Sequence, residues 1–507
     1  MLNNSFLTLG GLLLVSPFIH AQKQTAEPNI IVFLVDDMGV MDTSLPFLTD
    51  CNGNPVRYPL NNIYRTPNME KLAHQGIRFS TFYAQSVSSP TRASIMTGQN
   101  SARHGTTNWI KSENNNRNTY GPYDWNWEGI NKETVTLPRI LHNQGYKTIH
   151  VGKAHFAPFD HEGEDPRNVG FDVNIAGSSI GQPGSYLGTD GFGSIHGNKS
   201  RAVPGLKQYE GKDIFLTEAL TLEANKEISK SIAEKKPFFL YMAHYAVHTP
   251  FMTDKRFAGH YKDTPINEST KKFATLIEGM DKSLGDIIQH LKALKIAKNT
   301  LILFIGDNGS TAFIGEQRGY GASAPLKGMK GTEYEGGTRV PCIVSWAAID
   351  ANTPQQTKWK IAQDTIVTQP VTVNDVFPTV LSWADAKNPK GHIIDGFSMI
   401  KMLQGKYDAQ HPTTVLMHFP HQHRGSYFTT WRNNDWKLIY KYNPETPKEP
   451  GYELYNLKAD PFETCHLEKT YPEKVYAMVQ EMITELNKEG AKYPVDKDGN
   501  SLHPILP

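Results

Sequence analysis

Cysteine is nearly absent from this chain: Cys51, Cys342 and Cys465 are the three in 507 residues. An odd count at such wide spacing supplies neither a disulfide framework nor a thiolate zinc site, so stability must come from a packed core. An excess of one charge is missing as well. With 52 Lys and Arg against 51 Asp and Glu, the formal net charge is +1, which excludes the strongly basic surface of a nucleic-acid binder. Long apolar runs are scarce. The one from Phe6 to Ile19, followed by Ala21-Gln22, predicts a signal peptide over residues 1–21. No cysteine adjoins that cut, so a lipid anchor is not indicated, and no later stretch is apolar enough to span a bilayer. The expected location is periplasmic or secreted, with no stable membrane span and no nucleic-acid partner.

What is present is a chain long enough for one large domain and a smaller one. Asn29 to Val35 is a continuous apolar run that ends in Asp36-Asp37, and Lys147–Val151, Pro237–Met242 and Thr300–Ile305 repeat the form. Helical patterns alternate with these runs, which predicts an α/β sheet covered on both faces, with polar residues gathered at the strand ends. The longest helix is expected from about Glu268 to Ile296. Its stripe of Phe273, Leu276, Ile277, Met280, Leu284, Ile287, Ile288, Leu291 and Leu294 has helical spacing and reads as core. Further helices are expected near 213–234 and 373–383. Beyond Gly405 the texture changes to short antiparallel strands at 415–419, 427–431 and 436–442, then an amphipathic helix at 475–486. The expected division is a main domain over 22–409 and a smaller unit over 410–507.

Chemistry concentrates at a few places. Asp36-Asp37 and Asp307-Asn308 each follow a strand and offer hard oxygen ligands, which suit Ca2+ or Mg2+ rather than a soft metal. Gly152-Lys153-Ala154-His155 follows another strand, and His248-Thr249-Pro250 follows a fourth. Lys327 and Lys330 both precede Tyr334-Glu335-Gly336-Gly337 and Arg339-Val340-Pro341. From Ser88 to Gly98 the chain reads Ser-Ser-Pro-Thr-Arg-Ala-Ser-Ile-Met-Thr-Gly. A helix starting near Thr91 would turn its amide donors and Arg92 toward an anion.

Taken together, these segments resemble the type I sulfatases. The Ser88–Gly98 run meets every fixed position of the motif that sulfatase-maturing enzymes recognise. The resemblance implies an alkaline-phosphatase-like mixed sheet sandwiched by helices, with a C-terminal subdomain of antiparallel sheet plus helix. It also implies that Ser88 is oxidised to formylglycine by a serine-competent anaerobic maturing enzyme. Asp36, Asp37, Asp307, Asn308 and residue 88 would hold Ca2+; Arg92, Lys153, His155, His248 and Lys330 would surround the sulfate. Of the two lysines before Glu335, the family's spacing matches Lys330 and not Lys327. In the implied mechanism a hydrated aldehyde at position 88 attacks sulfur, His248 with Lys330 protonates the leaving alcohol, and His155 takes the proton that lets sulfate depart.

The implied substrate is a sulfated carbohydrate of host or algal origin, with galactose or N-acetylgalactosamine sulfate the favoured sugar. Trp109, Tyr120, Tyr123, Trp125 and Trp127 fall in one insert, and His418, His421, His423 and Arg424 cluster in the smaller unit. From these, Trp125, His418, His421 and Arg424 are the expected sugar contacts. Two rivals stay in view. A phosphodiesterase of the same superfamily would use two metals and no maturation motif, and a noncatalytic glycan binder would have lost metal or lysine positions.

Overall fold

The computed structural model describes residues 27–311 and 322–507; the signal-peptide expectation falls outside them. Eight strands form the central sheet: β1 Asn29–Val35, β2 Ile77–Phe79, β3 Lys147–Gly152, β4 Val173–Ile175, β5 Phe238–His244, β6 Thr300–Gly306, β7 Cys342–Trp346 and β8 Thr365–Val367. Their spatial order is β4-β3-β5-β1-β6-β7-β2-β8. All neighbours run parallel except β7, which is antiparallel to β6 and β2. The sheet is therefore mixed, as the resemblance implies.

Alternation along β1 explains the two layers. Ile31, Phe33 and Val35 face helices α1 Pro67–Gln75, α2 Leu216–Ala233 and α3 Glu268–Ala293. Ile30, Val32 and Leu34 face a second layer that includes Ile95, Met96 and the helix Val376–Trp383. Both faces being covered, each central strand reads as an unbroken apolar run. Asn267 caps α3 by accepting from the Thr270 amide at 2.8 Å. Seven residues of the expected stripe, Phe273 through Leu291, are fully buried, whereas Ile288 and Leu294 lie partly buried at its margin. Each buried side chain contributes about 1.5–3 kcal/mol, so Leu284→Ala in mid-helix would cost about 2–5 kcal/mol.

The C-terminal unit is a four-stranded antiparallel meander, β9 Thr414–Phe419, β10 Tyr427–Asn433, β11 Trp436–Tyr442 and β12 Gly451–Asn456. The helix Pro472–Glu489 lays Val475, Met478, Val479, Met482 and Leu486 against this sheet. Among the described residues no helix is long and apolar enough to cross a membrane.

Candidate active site

Because β1 and β6 are parallel neighbours, their carboxyl ends deliver Asp36-Asp37 and Asp307-Asn308 to one point. The Asp37 amide donates to Asp307 Oδ1 at 2.9 Å, and Asn308 Nδ2 donates to Asp37 Oδ1 at 2.8 Å. One oxygen from each of Asp36, Asp37 and Asp307 lies within 4.8 Å of the others, and all three side chains are buried. Three carboxylates so close repel one another. Burial, then the Asp307 and Asp37 charges, push the Asp36 carboxyl well above its ordinary range. Asp37 Oδ2 has no hydrogen-bond partner. An all-oxygen set of three clustered carboxylates with an unpartnered oxygen fits a hard divalent cation.

The motif segment forms a helix from Ser88 to Thr97, three residues earlier than expected, with extended Val87 before it. Ser88 is consequently the first helical residue, placed where amide donors cluster. Its Oγ donates to Asp36 Oδ1 at 3.1 Å and to Asn308 Oδ1 at 3.2 Å, and accepts from Lys153 Nζ at 3.2 Å. Lys153 Nζ also donates to both Asp36 oxygens at 2.8 and 2.9 Å. Gly152 makes this possible: its φ is +100°, and a Cβ there would fall 1.9 Å from the Ala243 carbonyl oxygen. Lys330 Nζ donates to Asp37 Oδ1 at 2.5 Å. Lys327 instead bonds Tyr455 and stacks on Tyr334, away from the carboxylates.

Arg92 corrects one expectation. Fully buried, it does not line the cleft; Nε and Nη2 donate to Asp307 Oδ2 at 3.1 and 2.8 Å, and Nη1 donates to the Lys153 carbonyl at 2.8 Å. Its anion is a protein carboxylate. Against burial, Arg92 and Lys153 hold Asp307 below its ordinary range, so Arg92 orients a carboxylate of the candidate cation site and steadies the Lys153 backbone.

The two histidines have defined tautomers. His155 Nε2 donates to the Ile110 carbonyl at 2.6 Å, which leaves Nδ1 as the acceptor, 3.3 Å from Ser89 Oγ. Burial and the Lys153 charge drive its pKa well down, so it stays neutral. His248 Nδ1 donates to the Thr249 carbonyl at 3.0 Å, directing Nε2 to within 3.5 Å of Asp37 Oδ2. Burial lowers its pKa to about 3.

A cleft of about 400 Å³ opens over this floor, lined by Asp37, Ser88, Lys153, His155, His248 and Lys330. Arg424 also lines it, as expected, but three expected sugar contacts do not. Trp125 is buried, its indole donating to Asn115 Oδ1 at 3.0 Å and its ring packed edge-on against His421. His421 sits between Thr107 Oγ1 and the Arg117 carbonyl, at 2.9 and 3.0 Å. His418 bridges Thr429 Oγ1 and the Lys492 carbonyl, at 2.8 and 2.7 Å. His421, with Trp125 against it, joins the aromatic insert to the C-terminal unit, whereas His418 makes its bonds within that unit. Their neighbours Trp109 and His423 line the cleft instead, together with Gln182, Asn198, Arg201 and Thr311. Trp109 and His423 lay inside the clusters noted from sequence, whereas Gln182, Asn198 and Arg201 come from an irregular stretch with no motif.

Comparisons with known proteins give the family. The sulfatase family model matches residues 28–386, and the model described as "N-sulphoglucosamine sulphohydrolase, C-terminal" matches residues 330–505. The chain belongs to the sulfatase family and is a sulfuric ester hydrolase. It is 31% identical to N-acetylgalactosamine-6-sulfatase of Mus musculus over 75% of this chain and 67% of that one. It is 28% identical to a sulfatase of Formosa agariphila over 90% and 88%. Among solved structures, Ps i-CgsB superposes with a TM-score of 0.71 at 24% identity, over 93% of this chain and 96% of that one.

Proposed function

We propose that this enzyme hydrolyses sulfate esters of an exported-glycan type of substrate, a sulfated galactose or N-acetylgalactosamine residue in a polysaccharide. The observation that carries the reading is Ser88 Oγ at the head of its helix, within 3.2 Å of Asp36, Asn308 and Lys153 at the base of the cleft. Formylglycine made from Ser88 by a serine-competent maturing enzyme would supply, once hydrated, a nucleophile with a second hydroxyl for releasing sulfate. Ca2+ held by Asp36, Asp37, Asp307, Asn308 and residue 88 would supply positive charge beside the reacting sulfate.

The chain's own residues do the rest. Lys153 and Lys330 bring positive charge to the place where the sulfate oxygens gain negative charge, and burial strengthens that attraction. His248 presents an unprotonated Nε2 to the cleft, so the proton for the leaving sugar oxygen comes from the Lys330 ammonium, which meets the same Asp37 carboxylate, and His248 relays it. His155, neutral and with an unprotonated Nδ1 beside Ser89 Oγ, takes the proton whose loss releases sulfate. A signal peptide over residues 1–21 would place this activity in the periplasm or outside the cell, where such glycans are met. The sugar assignment is supported by the N-acetylgalactosamine-6-sulfatase relatives and by a structural neighbour, 25% identical with a TM-score of 0.70, solved in complex with a neocarrahexaose.

Inorganic sulfate release from a panel of defined sulfated saccharides by matured protein tests the reading. Turnover of a galactose or N-acetylgalactosamine ester is expected, with about one calcium per chain by elemental analysis. Two zinc ions and phosphodiester cleavage would replace it with the phosphodiesterase alternative. Against that alternative, Asp36, Asp37 and Asp307 are the one grouping among the described residues with three acidic, His or Cys ligands at metal-binding distance.

A further inference from the structure

The cleft carries basic side chains beyond those at the reacting group. Its floor already presents Lys153 and Lys330 to the reacting group, yet Arg201 and Arg424 line the same cavity from two unrelated segments. Arg201 ends the short turn Lys199–Arg201, and Arg424 lies in the turn between β9 and β10.

The Arg424 wall is fixed against the catalytic floor. Gly331, next to Lys330, has φ +80°, and a Cβ there would fall 2.4 Å from the His423 ring. The Gly331 amide donates to the Ser86 carbonyl at 2.8 Å, two residues before the nucleophile position. His423 also meets the edge of Trp109, with ring centroids 6.4 Å apart. Ser426 Oγ, two residues past Arg424, donates to Glu333 Oε1 at 3.4 Å. Arg424 Nη1 itself rests 3.7 Å from Met329 Sδ. On the other wall Arg201 Nη1 forms an ion pair with Glu113 and donates to the Ser200 carbonyl, while its Nε and Nη2 have no hydrogen-bond partner among the described residues and stay available to a second anion. A guanidinium fork matches the paired oxygens of a sulfate or carboxylate, and a neutral sugar hydroxyl gives it much less to hold.

We infer that Arg201 and Arg424 bind a second anionic group on the substrate, a sulfate or a uronate carboxylate beyond the ester being cleaved. The natural substrate is then a polyanionic glycan rather than a singly sulfated one. This inference rests on the sulfate-ester reading of the same cleft.

The test compares kcat/KM of matured protein on three substrates sharing the scissile ester: a singly sulfated disaccharide, its disulfated counterpart, and one carrying a uronate in place of the second sulfate. The wild type should favour at least one of the two dianionic substrates by roughly tenfold or more, and which one it favours distinguishes sulfate from carboxylate. Arg201→Gln and Arg424→Gln should each erase most of that preference, and the preference should shrink with added salt. Circular dichroism and the thermal midpoint verify that each variant is folded. Equal kcat/KM on all three substrates, or a preference that survives in both folded variants, overturns the inference while leaving the sulfatase reading intact. Turnover of none of them overturns both.

Discussion

Lys437→Met is the most demanding perturbation of the way the two units are joined. Lys437 Nζ, on β11, donates to Glu463 Oε1 at 2.7 Å and to Glu335 Oε1 at 3.0 Å, and all three side chains are at most 4% exposed. Glu335 belongs to the Tyr-Glu-Gly-Gly segment that follows Lys330, its Oε2 accepts from the Tyr83 hydroxyl at 2.8 Å, and its amide donates to Glu463 Oε2 at 2.8 Å. Against burial, Lys437 and Arg339 hold Glu335 down at about 2, while burial and the Glu335 charge push Glu463 up to about 7. Removing the lysine strands two buried carboxylates, a change that costs about 3–5 kcal/mol.

The loss should depend on pH. Loss of the lysine charge shifts both carboxyls upward and carries Glu463 further above its ordinary value of 4.5, while Arg339 and Arg432 still hold Glu335 down, so the folded state binds a proton that the unfolded state has released. Stability of the variant then falls as pH rises from about 4.5 through the raised Glu463 value. In the parent Glu335 stays ionised across that window and adds no slope, and Glu463 adds one only up to about 7. Urea unfolding followed by tryptophan fluorescence should therefore show a deficit of about 3–5 kcal/mol at pH 8 and about half that at pH 5.5. A deficit under about 1 kcal/mol at both pH values would refute the clamp; equal large deficits would refute its protonation argument.

His248→Gln should lower kcat by about 10²–10⁴-fold on a sugar sulfate, whose leaving alcohol needs a proton, and far less on an aryl sulfate with a good leaving group; steady-state kinetics on both esters checks this. Trp125→Ala should behave as a core truncation, costing about 3–5 kcal/mol of stability and depressing glycan and aryl sulfate turnover alike. A selective loss on the glycan would return Trp125 to the substrate site.

The chemistry at the strand ends was legible because spacing and residue type survive folding unchanged. Asp36, Asp37, Asp307 and Asn308 meet because β1 and β6 are adjacent, and Lys153 follows a third strand of the same sheet. The α3 stripe was legible for a similar reason: burial repeats with the helical period. What a long loop does with its side chains was not. Trp109 and Trp125 lie in one insert, and His421 and His423 are two residues apart, yet one of each pair faces the cleft and the other is buried with its ring nitrogens bonded inside the protein. Only the docking of that insert on the C-terminal unit decides between them. Arg92 taught a related lesson, since a motif arginine can serve a ligand or a carboxylate of its own chain, and the partner Asp307 lies 215 positions away. The antiparallel β7 was likewise hidden, because a short apolar run carries no sign of its direction.

The central claim is that residue 88 works as an aldehyde and not as serine. An unmodified Ser88 could accept sulfate once but would have no second hydroxyl with which to expel it. Mass spectrometry of the peptide containing residue 88, made on the same preparations whose sulfate release is counted per chain, tests this directly. Active protein from cells with a serine-competent maturing enzyme should show loss of two hydrogens at Ser88, and turnover should scale with the modified fraction. Protein made without that enzyme should fold and release no more than one sulfate per chain, and sustained turnover by protein whose residue 88 is wholly unmodified serine would contradict the account.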